Sequence, residues 1–154
     1  MLRLRRLPGL VAVALLLLVP TVVADPSPPE DLHGSYSITT RNVSLTWQPP
    51  DSGVAAFTYR VWRDNTSLGS TGSLSYTDAP GNAPDPGYVY LVTASPPGNP
   101  NNVGMPAVVG VSTLDCEVAS VATSWNYPYL YIHLHEECMG GLYIYDKHVT
   151  WQKP

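Results

Sequence analysis

From residue 43 onward, apolar and polar residues alternate in short runs, each closed by a cluster of turn-forming residues. Val43, Leu45 and Trp47 alternate with Ser44, Thr46 and Gln48, and Pro49-Pro50-Asp51-Ser52-Gly53 ends the run. Phe57, Tyr59, Val61 and Arg63 share one side of the next, where Tyr59-Arg60-Val61-Trp62 is rich in strand formers. Leu74-Ser75-Tyr76 is a short strand before Asp78-Ala79-Pro80-Gly81-Asn82. Tyr88, Tyr90, Val92 and Ala94 repeat every second residue up to Pro96-Pro97-Gly98-Asn99-Pro100, and Ala107 to Thr113 follows. A period of two between regularly spaced turn signals predicts strands, and many such strands predict an antiparallel sandwich. After residue 24, proline or glycine interrupts every stretch that could otherwise carry a helical period. The fold class is all-β.

The alternation changes character in residues 115–154. Leu130, Ile132 and Leu134 lie on one side of a strand, and Tyr129, Tyr131, His133 and His135 on the other. Leu142 to Trp151 reads as a second strand, with Gly140-Gly141 as a two-residue hairpin turn. If Met139 opposes Leu142, then Leu130 meets Trp151, Ile132 meets Val149, and Cys138 meets Tyr143. A one-residue slip would set Ile132 against His148 and Leu134 against Asp146, so burial selects the first register. With a preceding strand from Glu117 to Trp125, the segment predicts a three-stranded β appendage.

The chain has 154 residues, with 8 Lys and Arg against 12 Asp and Glu, and only 13% of its residues are charged. Arg3, Arg5 and Arg6 stand at the start, so the remainder holds five basic residues against twelve acidic ones. Such a chain lacks the basic cluster that holds phosphates, which excludes nucleic acid as a partner. The 10 Tyr and 4 Trp argue for a folded chain, against disorder. Residues 1–24 combine a basic start, an apolar run from Leu7 to Val19 and a small residue at Ala24 after Pro20. This predicts a cleaved signal peptide, with an uncleaved membrane anchor as the alternative. Residues 25–27 begin a proline-rich lead. In either case the remainder lies outside the cytoplasm, secreted or held at the cell surface, and touches a membrane only through that first segment. Cys116 and Cys138 are the only cysteines, and in an oxidising compartment they predict one disulfide. Asn42-Val43-Ser44 and Asn65-Thr66-Ser67 are glycosylation sequons at Asn42 and Asn65.

Residues 28–114 resemble a fibronectin type III domain. The resemblance rests on Pro28-Pro29 with Leu32, then Val43-Ser44-Leu45-Thr46-Trp47-Gln48-Pro49-Pro50. Tyr59-Arg60-Val61-Trp62-Arg63, Tyr76-Thr77-Asp78 and Tyr88-Val89-Tyr90-Leu91-Val92-Thr93-Ala94 follow in order. It implies an immunoglobulin-like sandwich in which Trp47 fills the core and Tyr88 is the tyrosine-corner residue. The integrin-type Arg-Gly-Asp often found in the family is missing, and the loop Gly81-Asn82-Ala83-Pro84-Asp85-Pro86-Gly87 is longer and richer in proline than usual. A shared fold implies little about chemistry.

No nucleophile elbow, phosphate-binding glycine loop or zinc-protease motif occurs, so the sequence predicts no enzyme. In the register above, His133 faces His148 and His135 faces Asp146, which gathers four candidate ligands for zinc or copper; a solvated strand surface is the alternative. His33 reads as a surface residue of the first strand. Tyr129 and Tyr131 continue the same face and suit stacking on a sugar or a partner protein. The expected function is an exported, non-catalytic adhesion or protein-interaction module without a cofactor. A metal-binding protein and a carbohydrate-binding accessory are the alternatives.

Overall fold

The computed structural model describes residues 24–51, 56–81, 86–113 and 116–154. All of the signal segment except Ala24, and the loop positions 82–85, lie outside the described residues. Ten strands and no helix are present among the described residues, and every strand pairing is antiparallel. Accordingly, none of the described residues form a helix that could cross a membrane.

The first two layers are the expected antiparallel β-sandwich. Strands β1 (Glu30–Ser37), β2 (Asn42–Gln48) and β5 (Ser75–Asp78) form one sheet in the order β1-β2-β5. Strands β3 (Thr58–Arg63), β4 (Thr66–Thr71), β6 (Gly87–Ser95) and β7 (Ala107–Ser112) form the other in the order β4-β3-β6-β7. Between them Val43, Leu45 and Trp47 pack against Phe57, Tyr59, Val61, Tyr88, Tyr90, Val92 and Ala94, the alternating positions of the sequence. Trp47 is buried and meets Tyr59 edge-to-face with ring centroids 5.3 Å apart. Tyr88 is also buried, with its ring beneath the cations of Arg63 and Lys147. Arg63 Nη1 donates to Asp78 Oδ2 at 2.6 Å, and Tyr90 Oη donates to the same oxygen at 2.7 Å. Burial above all, then the bond to Asp78, raises the Tyr90 phenol well above its ordinary range.

Strand β4 was not apparent in the sequence. Its residues Thr66-Ser67-Leu68-Gly69-Ser70-Thr71 are mostly polar and largely exposed, as an edge strand permits. Pairing with β3 shifts register between Val61 and Trp62, where Gly69 stands at φ 131°.

The C-terminal segment forms a third layer. Strands β8 (Cys116–Asn126), β9 (Tyr129–Cys138) and β10 (Tyr143–Gln152) make a sheet in the order β10-β9-β8. The register of β9 with β10 is the one selected by burial: Leu130 pairs with Trp151, Ile132 with Val149, and Cys138 with Tyr143. Pairing stops at Cys138 and Tyr143, so residues 139–142 form the turn and Met139 does not pair with Leu142. Met139, Gly140 and Gly141 all have positive φ, and this run of left-handed backbone takes Met139 out of the ladder. The Gly141 amide donates to the Cys138 carbonyl at 3.2 Å. Cys116 and Cys138 are directly opposed and disulfide-bonded.

This sheet lies flat on the outer face of β3 and β6. Leu130, Ile132, Leu134, Val149 and Trp151 cover Trp62, Val89 and Leu91. Strand β6 is therefore buried along its whole length and on both faces, as expected of a strand apolar at both parities. Trp62 and Trp151 meet edge-to-face at 5.6 Å. At Gly110 on β7 a Cβ would come within 2.6 Å of Leu134 Cδ1 and 3.0 Å of Val121 Cγ2, so the lack of a side chain permits this close approach. A polar latch adds to the apolar contact: Lys147 Nζ donates to Asp64 Oδ2 at 2.8 Å and to the Gly87 carbonyl at 2.9 Å. Asp64 Oδ1 in turn accepts the Val89 amide at 3.0 Å. Lys153 pairs with Asp25, which ties the C-terminal strand to the N-terminal lead.

Candidate functional site

The outer face of the third sheet is exposed, and the pairing fixes its side chains as rows across three strands. Asn126, Tyr129 and Gln152 form one row, and Ser124, Tyr131 and Thr150 the next. Ala122, His133 and His148 follow, then Ser120, His135 and Asp146, and finally Glu117, Glu137 and Ile144. Tyr129 and Tyr131 are 39% and 45% exposed, with ring centroids 6.5 Å apart. Tyr127, in the β8–β9 turn, is exposed as well. Two aromatic faces thus stand among two amides and two hydroxyls, a surface that can stack on an apolar ring face and hydrogen-bond its rim.

The structure brings together all four residues expected to ligate a metal, three by hydrogen bonds and His148 by ring stacking. Asp146 Oδ1 accepts from His135 Nδ1 at 2.7 Å and from His133 Nε2 at 3.0 Å. His133 stacks on His148 with centroids 4.4 Å apart and planes 5° from parallel. Lone pairs of stacked parallel rings lie in parallel planes and do not converge on one ion. No group of three or more His, Cys, Asp or Glu is disposed to hold a metal among the described residues. The hydrogen bond from His135, supported by His133, holds the Asp146 carboxyl below the usual carboxylate range. Its interaction with the imidazoles is therefore present above the ordinary carboxylate pKa and is lost as pH falls through the depressed one. An NMR titration should place Asp146 below the other exposed aspartates, and His135→Ala should bring it back towards them. An unchanged Asp146 midpoint in the variant would count against this contact.

Other sequence candidates lie elsewhere. Asn65 is exposed in the β3–β4 turn with φ 84°, whereas Asn42 is half-buried at the start of β2. His33 is exposed on β1, remote in the pairing from the other histidines. A second exposed patch, not anticipated from the sequence, is the β9–β10 tip, where Met139, Leu142, Tyr143 and Ile144 are all exposed. Glu136 was also missed. It shares the parity of Leu134 and Cys138, and it is fully buried with neither carboxylate oxygen hydrogen-bonded.

No family model matches the chain. Its sequence is similar to Exoglucanase B of Cellulomonas fimi, with 36% identity over 110 residues. The match covers 66% of this chain and 10% of that protein, so the chain spans about a tenth of the relative's length. Among solved structures it is similar to a Fn3-like protein from Clostridium thermocellum at 23% identity and TM-score 0.47, over 58% of this chain and 95% of that one.

Proposed function

We propose that this protein is an exported, non-catalytic accessory module that binds glycan chains, glucans first, on the outer face of the third sheet. The observation that carries the reading is the Tyr129–Tyr131 pair flanked by Asn126, Ser124, Thr150 and Gln152. Similarity to a protein named as an exoglucanase supports the choice of glucan. The disulfide supports an oxidising compartment outside the cytoplasm. The exposed apolar tip favours a second reading, an adhesion module that contacts a protein through Met139, Leu142, Tyr143 and Ile144.

Affinity electrophoresis in soluble glucans, with a glycan array alongside, tests the first reading. Tyr131→Ala should weaken binding about tenfold, with no change in melting temperature because the side chain is exposed. Binding that is absent from every glycan tested, or indifferent to Tyr131, would reject the platform.

A further inference from the structure

The third sheet ends on β8, and that edge differs from every other edge described. Strand β10 carries Asp146, Lys147 and His148; β1 carries Glu30, Asp31 and His33; β5 has four residues, β4 six with a register shift, and β7 six. Strand β8 has eleven residues, no proline or glycine and one charge, Glu117, near its start. Its first residue is engaged, since the Cys116 carbonyl accepts the Ser112 hydroxyl at 2.5 Å. A register shift against β9 falls between Val118 and Ser120. Beyond it, Ser120 to Asn126 is a regular, uncharged strand, and among the described residues no strand is hydrogen-bonded to its outer side. Natural edges of this length are ordinarily blunted by charge, proline or a cover, because unpaired backbone groups are a template for another strand. Along the same side, Val118, Val121 and Trp125 are only half-buried under the third layer.

We infer that the β8 edge is an interface between two copies of this chain, paired antiparallel about a two-fold axis at Thr123. The choice of occupant follows from self-complementarity. In that register Thr123 faces its own copy, Val121 faces Trp125, Ala122 faces Ser124 and Ser120 faces Asn126. Threonine–threonine and aromatic–β-branched pairs are among the favourable cross-strand pairs, and no charge opposes a like charge. The half-buried Val121 and Trp125 of each copy would then cover each other. The product is a six-stranded third layer with both outer faces on one side. The two β9 strands, with their tyrosines, stand three strand spacings apart, or roughly 14 Å. A single strand edge buries less than a standard interface, which places the dimer in the micromolar range. This inference does not depend on the ligand of the tyrosine face.

Sedimentation equilibrium of the purified protein tests it. The weight-average mass should climb towards twice the monomer mass as concentration rises to about 100 µM. Thr123→Lys sets two ammonium groups against each other at the axis and should hold the protein monomeric. Thr150→Lys, also on an exposed threonine of the third sheet but away from β8, should leave association unchanged. Cross-linking fixes the register: Thr123→Cys should form a disulfide-linked dimer on mild oxidation, because residues paired across the axis have Cα atoms about 4.5–5.5 Å apart. Thr150→Cys should form none. A wild-type protein that stays monomeric throughout, or a dimer that survives Thr123→Lys, overturns the proposal.

Discussion

Trp151→Ala is expected to detach the third layer from the sandwich. The indole is 1% exposed and sits between Trp62, at 5.6 Å, and Trp125, at 6.2 Å. Truncating a buried tryptophan costs about 3–5 kcal/mol, a large share of a small domain's stability. The loss falls on the contact between β10 and the outer face of β3 and β6, so its signature should be local. Trp62 should become solvent-exposed and shift its fluorescence to the red, and amides of β8 to β10 should lose hydrogen-exchange protection first. Trp47→Ala removes as large a side chain from the other core and should unfold the sandwich itself. Denaturant melts with exchange mapping separate the two outcomes. A Trp151→Ala protein that melts within a few degrees of wild type would mean that the third layer does not depend on this contact.

Much of this architecture was legible because alternation carries it. Trp47, Tyr59, Tyr90, Leu130, Ile132, Leu134, Val149 and Trp151 are buried at the positions their parity assigns. The hairpin register followed from one physical requirement, that Ile132 and Leu134 avoid facing His148 and Asp146 on the buried side. What the alternation concealed was the docking of the tail. Val89 and Leu91 occupy the parity opposite to Tyr88 and Tyr90 and read as the outward face of a two-layer sandwich, yet both are fully buried by the tail. An apolar outward face on a central strand was the available signal. Strand β4 escaped notice for the converse reason: an edge strand of serine, threonine and glycine buries too little to show a period.

The outer face was legible as a row pattern but not as chemistry. Register alone places His133 opposite His148 and His135 opposite Asp146, and the structure has both pairs. Ligation depends on where the ring nitrogens point. Here two of them point at one carboxylate oxygen, and the His133 and His148 rings stack. That is a matter of rotamers, on which strand parity is silent.

Glu136→Leu is expected to stabilise the protein, and by more as pH rises. Glu136 lies on the buried side of β9 with its carboxylate packed on Gly87 of β6, where a Cβ would clash with Oε1. Its strand neighbours are Val118 on β8 and Tyr145 on β10. Burial raises the carboxyl pKa above its ordinary value, and the charge of Lys147 and the nearby Ser112 reduce that rise without reversing it. Ser112 gives its hydroxyl to the Cys116 carbonyl, and Lys147 is held by Asp64 and Gly87. The sign follows directly. Below the ordinary carboxylate range both folded and unfolded chains carry the proton, and the fold bears no ionisation penalty. As pH rises, the unfolded chain ionises first, and stability falls until the folded pKa is passed. Leucine fills a similar volume, needs no hydrogen bond and leaves Lys147 paired with Asp64, so it should gain about 1–3 kcal/mol near neutral pH. Urea melts of both proteins from pH 4 to pH 8 should therefore diverge as pH increases, with the variant the flatter of the two. Parallel curves, or a variant less stable at neutral pH, would show that Glu136 is satisfied in the folded protein.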